Sequence, residues 1–289
     1  MRVGERTAAI CCCFGCYGGI RPLLIAGAVQ ALVSALAVPA EAQSINAPNF
    51  QSGPGGWQHP FAGEFPPVQG SALPLWNDPV HPYVPNGRGI QPTYRIGDLS
   101  NPNLKSWAKD VMKKDNDEVL AGKIAYSPAQ SCKPQGVPDY LLSPGPFIFL
   151  QTPTKVIIVE ESSQQWRHIY LNVPHSENPK PSWFGESVGR YEGETLVVDT
   201  IGLNSRTFVD TYRTPHTEKL HVVERWHVID GGNTLEVNIT VDDPDTFYWP
   251  WQTFQRYRRA QRPLLEDICQ EGNFVLFDYG IPVATKADF

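Results

Sequence analysis

The sequence has little methionine, no surplus of basic residues and no nucleotide-binding loop. Its 289 residues include only 2 methionines, and 24 Lys and Arg stand against 30 Asp and Glu, for a net charge of −6. Nucleic-acid-binding proteins usually carry a basic face, and no dense Lys/Arg patch is present, so we expect no nucleic-acid partner. The sequence also lacks a G-x-G-x-x-G or Walker motif, which disfavours nucleotide binding.

The residues that are abundant favour a globular fold rich in turns. Hydrophobic residues make up 41% of the chain and charged residues 19%, which is a globular composition. The chain contains 24 glycines and 27 prolines, and such residues favour turns and loops over a helical bundle.

Residues 1–42 have the pattern of a secretory signal peptide. Arginines come first, then an apolar run, then a small-x-small site: Arg2, Arg6 and Arg21, residues 22–38, and Ala40-Glu41-Ala42. The alternative is a membrane anchor, but Gln30 and Ser34 interrupt the apolar run. The pattern predicts export to the periplasm or the medium and a mature chain that starts near Gln43 and has no membrane span.

Cysteine usage predicts one disulfide bond. Four of the six cysteines precede the predicted cleavage site, and only Cys132 and Cys269 follow it. An even, small number of cysteines in an oxidising compartment favours a bridge, although two separate buried thiols are the alternative. Neither cysteine has a second Cys or a His at zinc-ligand spacing, so we expect no metal site and no cofactor.

The mature chain divides into three parts by composition and periodicity. Residues 43–100 are rich in Pro, Gly and aromatic residues and predict an extended arm that packs on something. Residues 101–122 predict one amphipathic helix, with Pro102 in its first turn and Gly122 at its end. Residues 123–289 predict a β domain.

The β domain shows a two-residue period in nine segments. These are residues 147–151, 155–161, 166–172, 187–192, 195–201, 220–229, 234–242, 253–259 and 273–279. Short turns between several of them, and no helix-period segment between any two, predict mainly antiparallel neighbours. The expected fold is therefore an antiparallel meander that closes into a lipocalin-like barrel or forms a sandwich.

The segment 215–227 contains the densest group of ionisable side chains. On a strand, His221 and Arg225 would share one face and Glu224 the other. Imidazoles can move protons near neutral pH, and carboxylates and arginines can orient them or stabilise negative charge. The candidate catalytic residues are His216, His221, Glu224, Asp199, Arg225 and Arg190. The alternative is a solvated outer face with a Glu–Arg pair inside.

Aromatic residues in the same half of the chain predict a binding site for a small apolar or aromatic molecule, or for a sugar. The candidate contacts are Trp183, Tyr191, Trp226, Tyr248 and Trp249. The alternative is that these rings plug one end of the barrel. We expect His216, with His221 or Glu224, to line the principal pocket.

Two motifs resemble a large group of exported, β-rich bacterial proteins. They are Trp183-Phe-Gly-Glu-Ser-Val-Gly-Arg-Tyr-Glu-Gly-Glu-Thr-Leu-Val-Val-Asp-Thr200 and Pro215-His-Thr-Glu-Lys-Leu-His-Val-Val-Glu-Arg225. The resemblance implies export and a shared β-rich domain, and it assigns no catalytic residue. The first motif also contains Gly185-x-Ser187-x-Gly189, but a hydrolase elbow needs a helix after the serine, and a β-hairpin is predicted here.

These patterns together predict a cofactor-free exported enzyme. The expected chemistry is proton transfer of the lyase, isomerase or hydrolase type. A non-catalytic ligand-binding barrel and an envelope interaction protein are the alternatives.

Overall fold

A computed structural model describes residues 47–51, 55–60, 64–83, 95–123, 127–162 and 166–269. All of these belong to the compact unit Ser44–Phe289. The predicted signal peptide and the predicted strand 273–279 lie outside the described residues.

The described strands form a closed nine-stranded barrel, which confirms the mainly β fold class and favours the barrel over the sandwich. The strands are β1 Trp57–Gln58, β2 Phe147–Gln151, β3 Lys155–Glu160, β4 Trp166–Leu171, β5 Glu186–Glu192, β6 Thr195–Ile201, β7 His221–Ile229, β8 Thr234–Asp242 and β9 Trp251–Arg259. Each strand pairs with the next in sequence, and β1 pairs with both β2 and β9. The predicted arm therefore supplies the short strand that closes the barrel.

Alternate residues along each strand point into and out of the barrel. In β8 the apolar residues Leu235, Val237, Ile239 and Val241 are buried, and the residues between them are largely polar. Inside the barrel, the ring of Trp226 lies 5.4 Å from that of Phe149 and 6.1 Å from that of Tyr257. These rings are fully buried, so this part of the interior is packed core rather than an open lipocalin-like cavity.

One pair of strands departs from the expected antiparallel meander. β4 and β5 are parallel, with Ile169 opposite Ser187 and Leu171 opposite Gly189. Parallel neighbours need a connection that returns the chain to the starting end of the strand, and a tight turn cannot do this. Residues 172–185, which we name the crossover, make that connection without a helix. All the other pairs of described strands are antiparallel, so the sheet is mainly antiparallel as expected.

A glycine is required where the crossover enters β5. Gly185 has a φ of +64°, a conformation that side chains with a Cβ rarely adopt. A Cβ on Gly185 would also lie 2.4 Å from the backbone oxygen of Ile201. The glycine of the G-x-S-x-G pattern therefore serves close backbone packing, and a strand follows it instead of a helix.

The helix α1 spans Ser106–Leu120, so it starts later than the predicted 101–122 and leaves Pro102 outside it. The backbone before the helix pairs with residues 246–248 instead. The amide of Lys105 donates to the carbonyl of Thr246, and the amide of Tyr248 donates to the carbonyl of Asn103. The buried face of the helix consists of Ala108, Met112, Asn116 and Val119. Among the described residues, no helix has the length and apolar character needed to cross a bilayer.

A short 3-10 turn, Asp139–Leu142, is buried against the barrel. Its backbone is anchored from inside, since the hydroxyl of Tyr257 donates to the carbonyl of Leu141 at 2.7 Å. The preceding segment is tied to the end of the described chain by a disulfide between Cys132 and Cys269, whose Cα atoms are 5.6 Å apart. The predicted disulfide is therefore confirmed.

This turn also holds one of two neighbouring buried carboxyls. Burial, and then the charge of Asp210, raise the pKa of Asp139 to about 8. Burial raises the pKa of Asp210 to about 6, although hydrogen bonds from Thr214 and Tyr212 oppose that shift. In the unfolded chain both carboxyls titrate near 3.8. Between about pH 4 and pH 8 the native state therefore binds more protons than the unfolded state, and the free energy of unfolding falls as the pH rises.

We predict that Asp139→Asn flattens this pH dependence. The variant should unfold at a higher temperature than the parent at about pH 8 and should lose the advantage at about pH 5, because only the parent must ionise a buried carboxyl. Thermal unfolding at both pH values measures this. Asp110→Asn, an exposed carboxyl on α1, is the matched control and should follow the parent. Equal pH slopes for Asp139→Asn and the parent would contradict the prediction.

Candidate functional site

A cleft of about 520 Å³ lies on the outside of the barrel, between the crossover and the outer face of β4. This volume is within the usual range of small-molecule sites. Its lining comes from three elements: Trp166, His168 and Tyr170 of β4, Ser176, Asn178, Lys180, Phe184 and Gly185 of the crossover, and Glu186 and Ser187 of β5. We refer to it as the outer cleft.

The β4 wall of the outer cleft is a row of flat side chains. Trp166, His168 and Tyr170 are exposed and occupy successive outward positions of the strand, since Arg167 and Ile169 between them point inward. The rings of His168 and Tyr170 are nearly parallel, with centroids 6.4 Å apart. The ammonium group of Lys155 lies 4.7 Å from the ring centre of Tyr170. One wall of the cleft is therefore an aromatic surface open to solvent.

The β5 edge of the cleft begins a chain of alternating carboxylates and imidazoles. Glu186 Oε1 lies 3.0 Å from Nδ1 of His175, and Nε2 of the same ring lies 2.8 Å from Oδ1 of Asp199. That Asp199 oxygen also lies 3.0 Å from Nε2 of His221. We name these four residues the carboxylate–imidazole chain. In this chain the partly exposed rings of His175 and His221 both contact the carboxylate of Asp199, beside the outer cleft.

Local geometry explains why these four side chains meet. Glu186, Asp199 and His221 are outward residues of β5, β6 and β7, three strands that are neighbours in the barrel. His175 comes from the crossover, which passes over the same outer face. Parallel pairing of β4 with β5 is what makes the crossover take this path.

Ionised carboxylates limit the hydrogen bonds that the His175 ring can make. Ionised carboxylates only accept hydrogen bonds, so His175 can donate to both Glu186 and Asp199 only when its ring carries both protons. The hydroxyl of Ser176, followed by the Ser176 backbone amide and His175, lowers the pKa of Glu186, while partial desolvation opposes the shift. Glu186 is therefore ionised at neutral pH and accepts hydrogen bonds from the hydroxyl and the amide of Ser176.

A second polar group lies inside the barrel behind the cleft. Arg167 donates to both oxygens of Glu224, with 2.9 Å between Nη1 and Oε1, and to the hydroxyl of Tyr140 at 2.5 Å. It also donates to Ser187 Oγ at 3.2 Å and to Thr200 Oγ1 at 2.8 Å. Arg167 and Glu224 are 1% and 0% exposed. Because Ser187 also lines the outer cleft, this buried network supports the cleft from behind.

Two predicted catalytic residues are buried away from the cleft, which corrects the expectation that they line the principal pocket. Glu224 is bonded to Arg167 and lies inside the barrel. His216 donates from Nδ1 to the carbonyl of Thr217 at 2.8 Å and accepts at Nε2 from Thr207 at 2.7 Å. Burial lowers the pKa of His216, so the ring is neutral and both of its nitrogens are occupied. These positions leave neither group able to reach a ligand in the outer cleft.

The two predicted arginines lie on the outer face and share one carboxylate. Arg190 and Arg225 donate to opposite oxygens of Glu192, at 2.5 and 2.7 Å. Neither lines the outer cleft. Asp199 and His221, two other candidate catalytic residues, contact each other. The expected alternation is also confirmed, since His221 and Arg225 point outward and Glu224 inward.

The five predicted aromatic contacts lie elsewhere than the outer cleft. Trp226 is core, and the hydroxyl of Tyr191 accepts a bond from Gln151 at 2.8 Å. Trp183 is half-buried near the ammonium group of Lys133. Tyr248 and Trp249 are exposed, and Trp249 lines a separate cleft with Ser71, Thr240 and Gln252. The aromatic wall of the outer cleft comes instead from β4, whose outward residues sequence analysis did not single out.

His175 and Glu186 were also missed. The signal for them was the length and proline content of residues 172–185, with Pro174, Pro179 and Pro181, which no tight hairpin turn would contain. Within the described ranges, no cluster of three or more His, Cys, Asp or Glu has a geometry that would hold a metal ion.

The Arg167–Glu224 pair yields a stability prediction. Arg167→Met leaves Glu224 as an unpaired buried carboxylate and should lower the free energy of unfolding by about 3–5 kcal/mol. The double variant Arg167→Met/Glu224→Leu removes both charges and should recover most of that loss. Urea unfolding of the parent and both variants measures the difference. A double variant no more stable than Arg167→Met would contradict this account.

Comparison with protein-family models, with curated proteins and with solved structures finds no match to this chain, so the site is interpreted from its own geometry.

Proposed function

We propose that this chain is an exported enzyme that uses its own side chains for acid–base chemistry in the outer cleft. The reaction is a proton-transfer step of the hydrolase, lyase or isomerase type on a small ring-bearing molecule. The observation that supports this is the shared oxygen of Asp199, which lies within hydrogen-bond distance of His175 and His221. His175 in turn contacts Glu186, whose side chain lines the cleft.

Each residue of the carboxylate–imidazole chain, and two residues that line the cleft, have a role in this proposal. Asp199 orients both imidazoles and compensates the charge of a protonated ring. His175 and Glu186 together hold a proton at the edge of the cleft, where a bound substrate can exchange it. Lys180 and His168, which line the same cleft, supply positive charge or a second proton donor for an anion that develops in the transition state.

A non-catalytic ligand-binding protein is the second candidate, and one observation favours it. The lowered pKa of Glu186 makes this carboxyl a poor proton donor at neutral pH. The aromatic wall of β4 would bind a ring whether or not a reaction follows.

Asp199→Asn separates the two candidates. It keeps the size of the side chain and removes the charge that holds both imidazoles. If the proposal is correct, the parent turns over at least one member of a panel of aryl glycosides, aryl esters and lactones, and Asp199→Asn lowers kcat by about 100-fold or more. Steady-state kinetics on folded proteins, checked by circular dichroism, provide the measurement.

His221→Gln and His227→Gln form a matched pair for the same assay. Both histidines are outward residues of β7, but His227 contacts Glu236 and lies outside the carboxylate–imidazole chain. We expect His221→Gln to lower kcat and His227→Gln to keep it. Equal rates in the parent, Asp199→Asn and His221→Gln would contradict the proposed enzyme. Ligand binding without turnover in the parent would favour the non-catalytic candidate.

A further inference from the structure

We infer that the outer cleft binds a neutral glycan, with a pyranose ring stacked on Trp166 and the ring hydroxyls bonded by the crossover. This inference rests on the proposed function for the location of the site and adds the class of ligand. It follows from the aromatic wall, the opposite polar wall and the balance of charge between them.

The aromatic wall matches the apolar face of a sugar ring. Trp166 is 60% exposed, an unusual position for the largest apolar side chain on the outside of a barrel. Successive outward positions on a strand are about 6.8 Å apart, so Trp166, His168 and Tyr170 place three rings in a row along this wall. The C–H groups on one face of a pyranose pack against such surfaces.

The opposite wall matches the hydroxyl groups of a sugar. Ser176, Asn178 and Lys180 are exposed crossover residues that line the cleft, and Glu186 closes its β5 edge. The hydroxyl of Ser176 already donates to Glu186 Oε2 at 2.7 Å, so the amide of Asn178 and the ammonium group of Lys180 are the groups that a ligand would meet. A purely apolar ring would desolvate these groups without bonding them, which costs free energy for each polar group left unpaired. A polyhydroxylated ring supplies a partner for each.

The charge in the cleft favours a neutral ligand over a polyanion. Lys180 and Glu186 contribute one charge of each sign to the lining, and the ammonium group of Lys155 lies beside Tyr170 on the β4 wall. Proteins that bind single-stranded nucleic acid also stack bases on aromatic rings, but they add a positively charged groove for the backbone. This chain has a net charge of −6, and the cleft has no surplus of cations among its lining residues.

The exposure of Trp166 has one competing explanation, which is that a second protein chain covers the outer face beside the cleft. In β2 and β3, Ile148 and Val159 are half-buried outward residues in register with Trp166. A second protein chain could cover such a surface, so the experiment must also report the oligomeric state.

The test is calorimetric titration of the folded protein with three neutral hexasaccharides: cellohexaose, chitohexaose and maltohexaose. We expect at least one to bind with a Kd below about 1 mM. Trp166→Ala should weaken that binding by about tenfold or more, because stacking and burial of the indole are lost. Trp76→Ala is the matched control: Trp76 is 41% exposed, does not line the outer cleft, and should bind as the parent does.

Asp199→Asn distinguishes failure of this inference from failure of the proposed enzyme. The variant should lose turnover and still bind the hexasaccharide, since Asp199 does not line the cleft. Binding without turnover in the parent would overturn the enzyme and keep the glycan site. Turnover of a panel substrate that depends on Asp199, with no hexasaccharide bound, would overturn the glycan site and keep the enzyme.

Four other results would overturn the inference. The first is that none of the three hexasaccharides binds. The second is equal loss of binding in Trp166→Ala and Trp76→Ala. The third is binding of a single-stranded oligothymidylate while no saccharide binds. The fourth is a dimer that Trp166→Ala dissociates in sedimentation velocity while no saccharide binds.

Discussion

The parallel pairing of β4 with β5 determines where this protein can have a site. A chain that leaves β4 at one end of the barrel must return to the other end before β5 can run in the same direction. Residues 172–185 make this return across the outside of the barrel. The outer cleft and the position of His175 both follow from that path, because an antiparallel hairpin would leave the outer face of β4 uncovered.

The described barrel interior is filled with side chains, so the site lies on the outside. Trp226 and Tyr257 fill the centre with buried rings, and the guanidinium of Arg167 bonds to Glu224 and to the hydroxyls around it. An arginine with every partner satisfied inside a low-dielectric core is costly to rearrange. The Arg167–Glu224 network therefore acts as a rigid support, and in this account the partly exposed rings of His175 and His221 carry the acid–base chemistry.

Much of the barrel was predictable from local patterns. The two-residue period located eight described strands to within two residues, and the alternation along β7 separated His221 from Glu224 correctly. The start of α1 was not predictable, because residues 103–105 bond to the distant loop 246–249. No local propensity reports such a pairing.

The site was only half predictable for the same reason. Asp199 and His221 belong to antiparallel strands that are consecutive in sequence, and the two-residue period places both on the outer face. His175 and Glu186 join them through a parallel pairing that no short segment encodes. The role of Arg167 was not predictable for another reason. Arginine is rarely buried unless it is paired, and its partner Glu224 is distant in the sequence.

The central claim is that the crossover holds His175 against Asp199, so that one carboxylate joins two imidazoles beside the outer cleft. The ¹⁵N chemical shifts of the histidine rings in the full chain measure this directly. The account predicts that Asp199→Asn changes the ring shifts of both His175 and His221 and leaves those of His227 as they are in the parent. Ring shifts of His175 that do not respond to Asp199→Asn would contradict it.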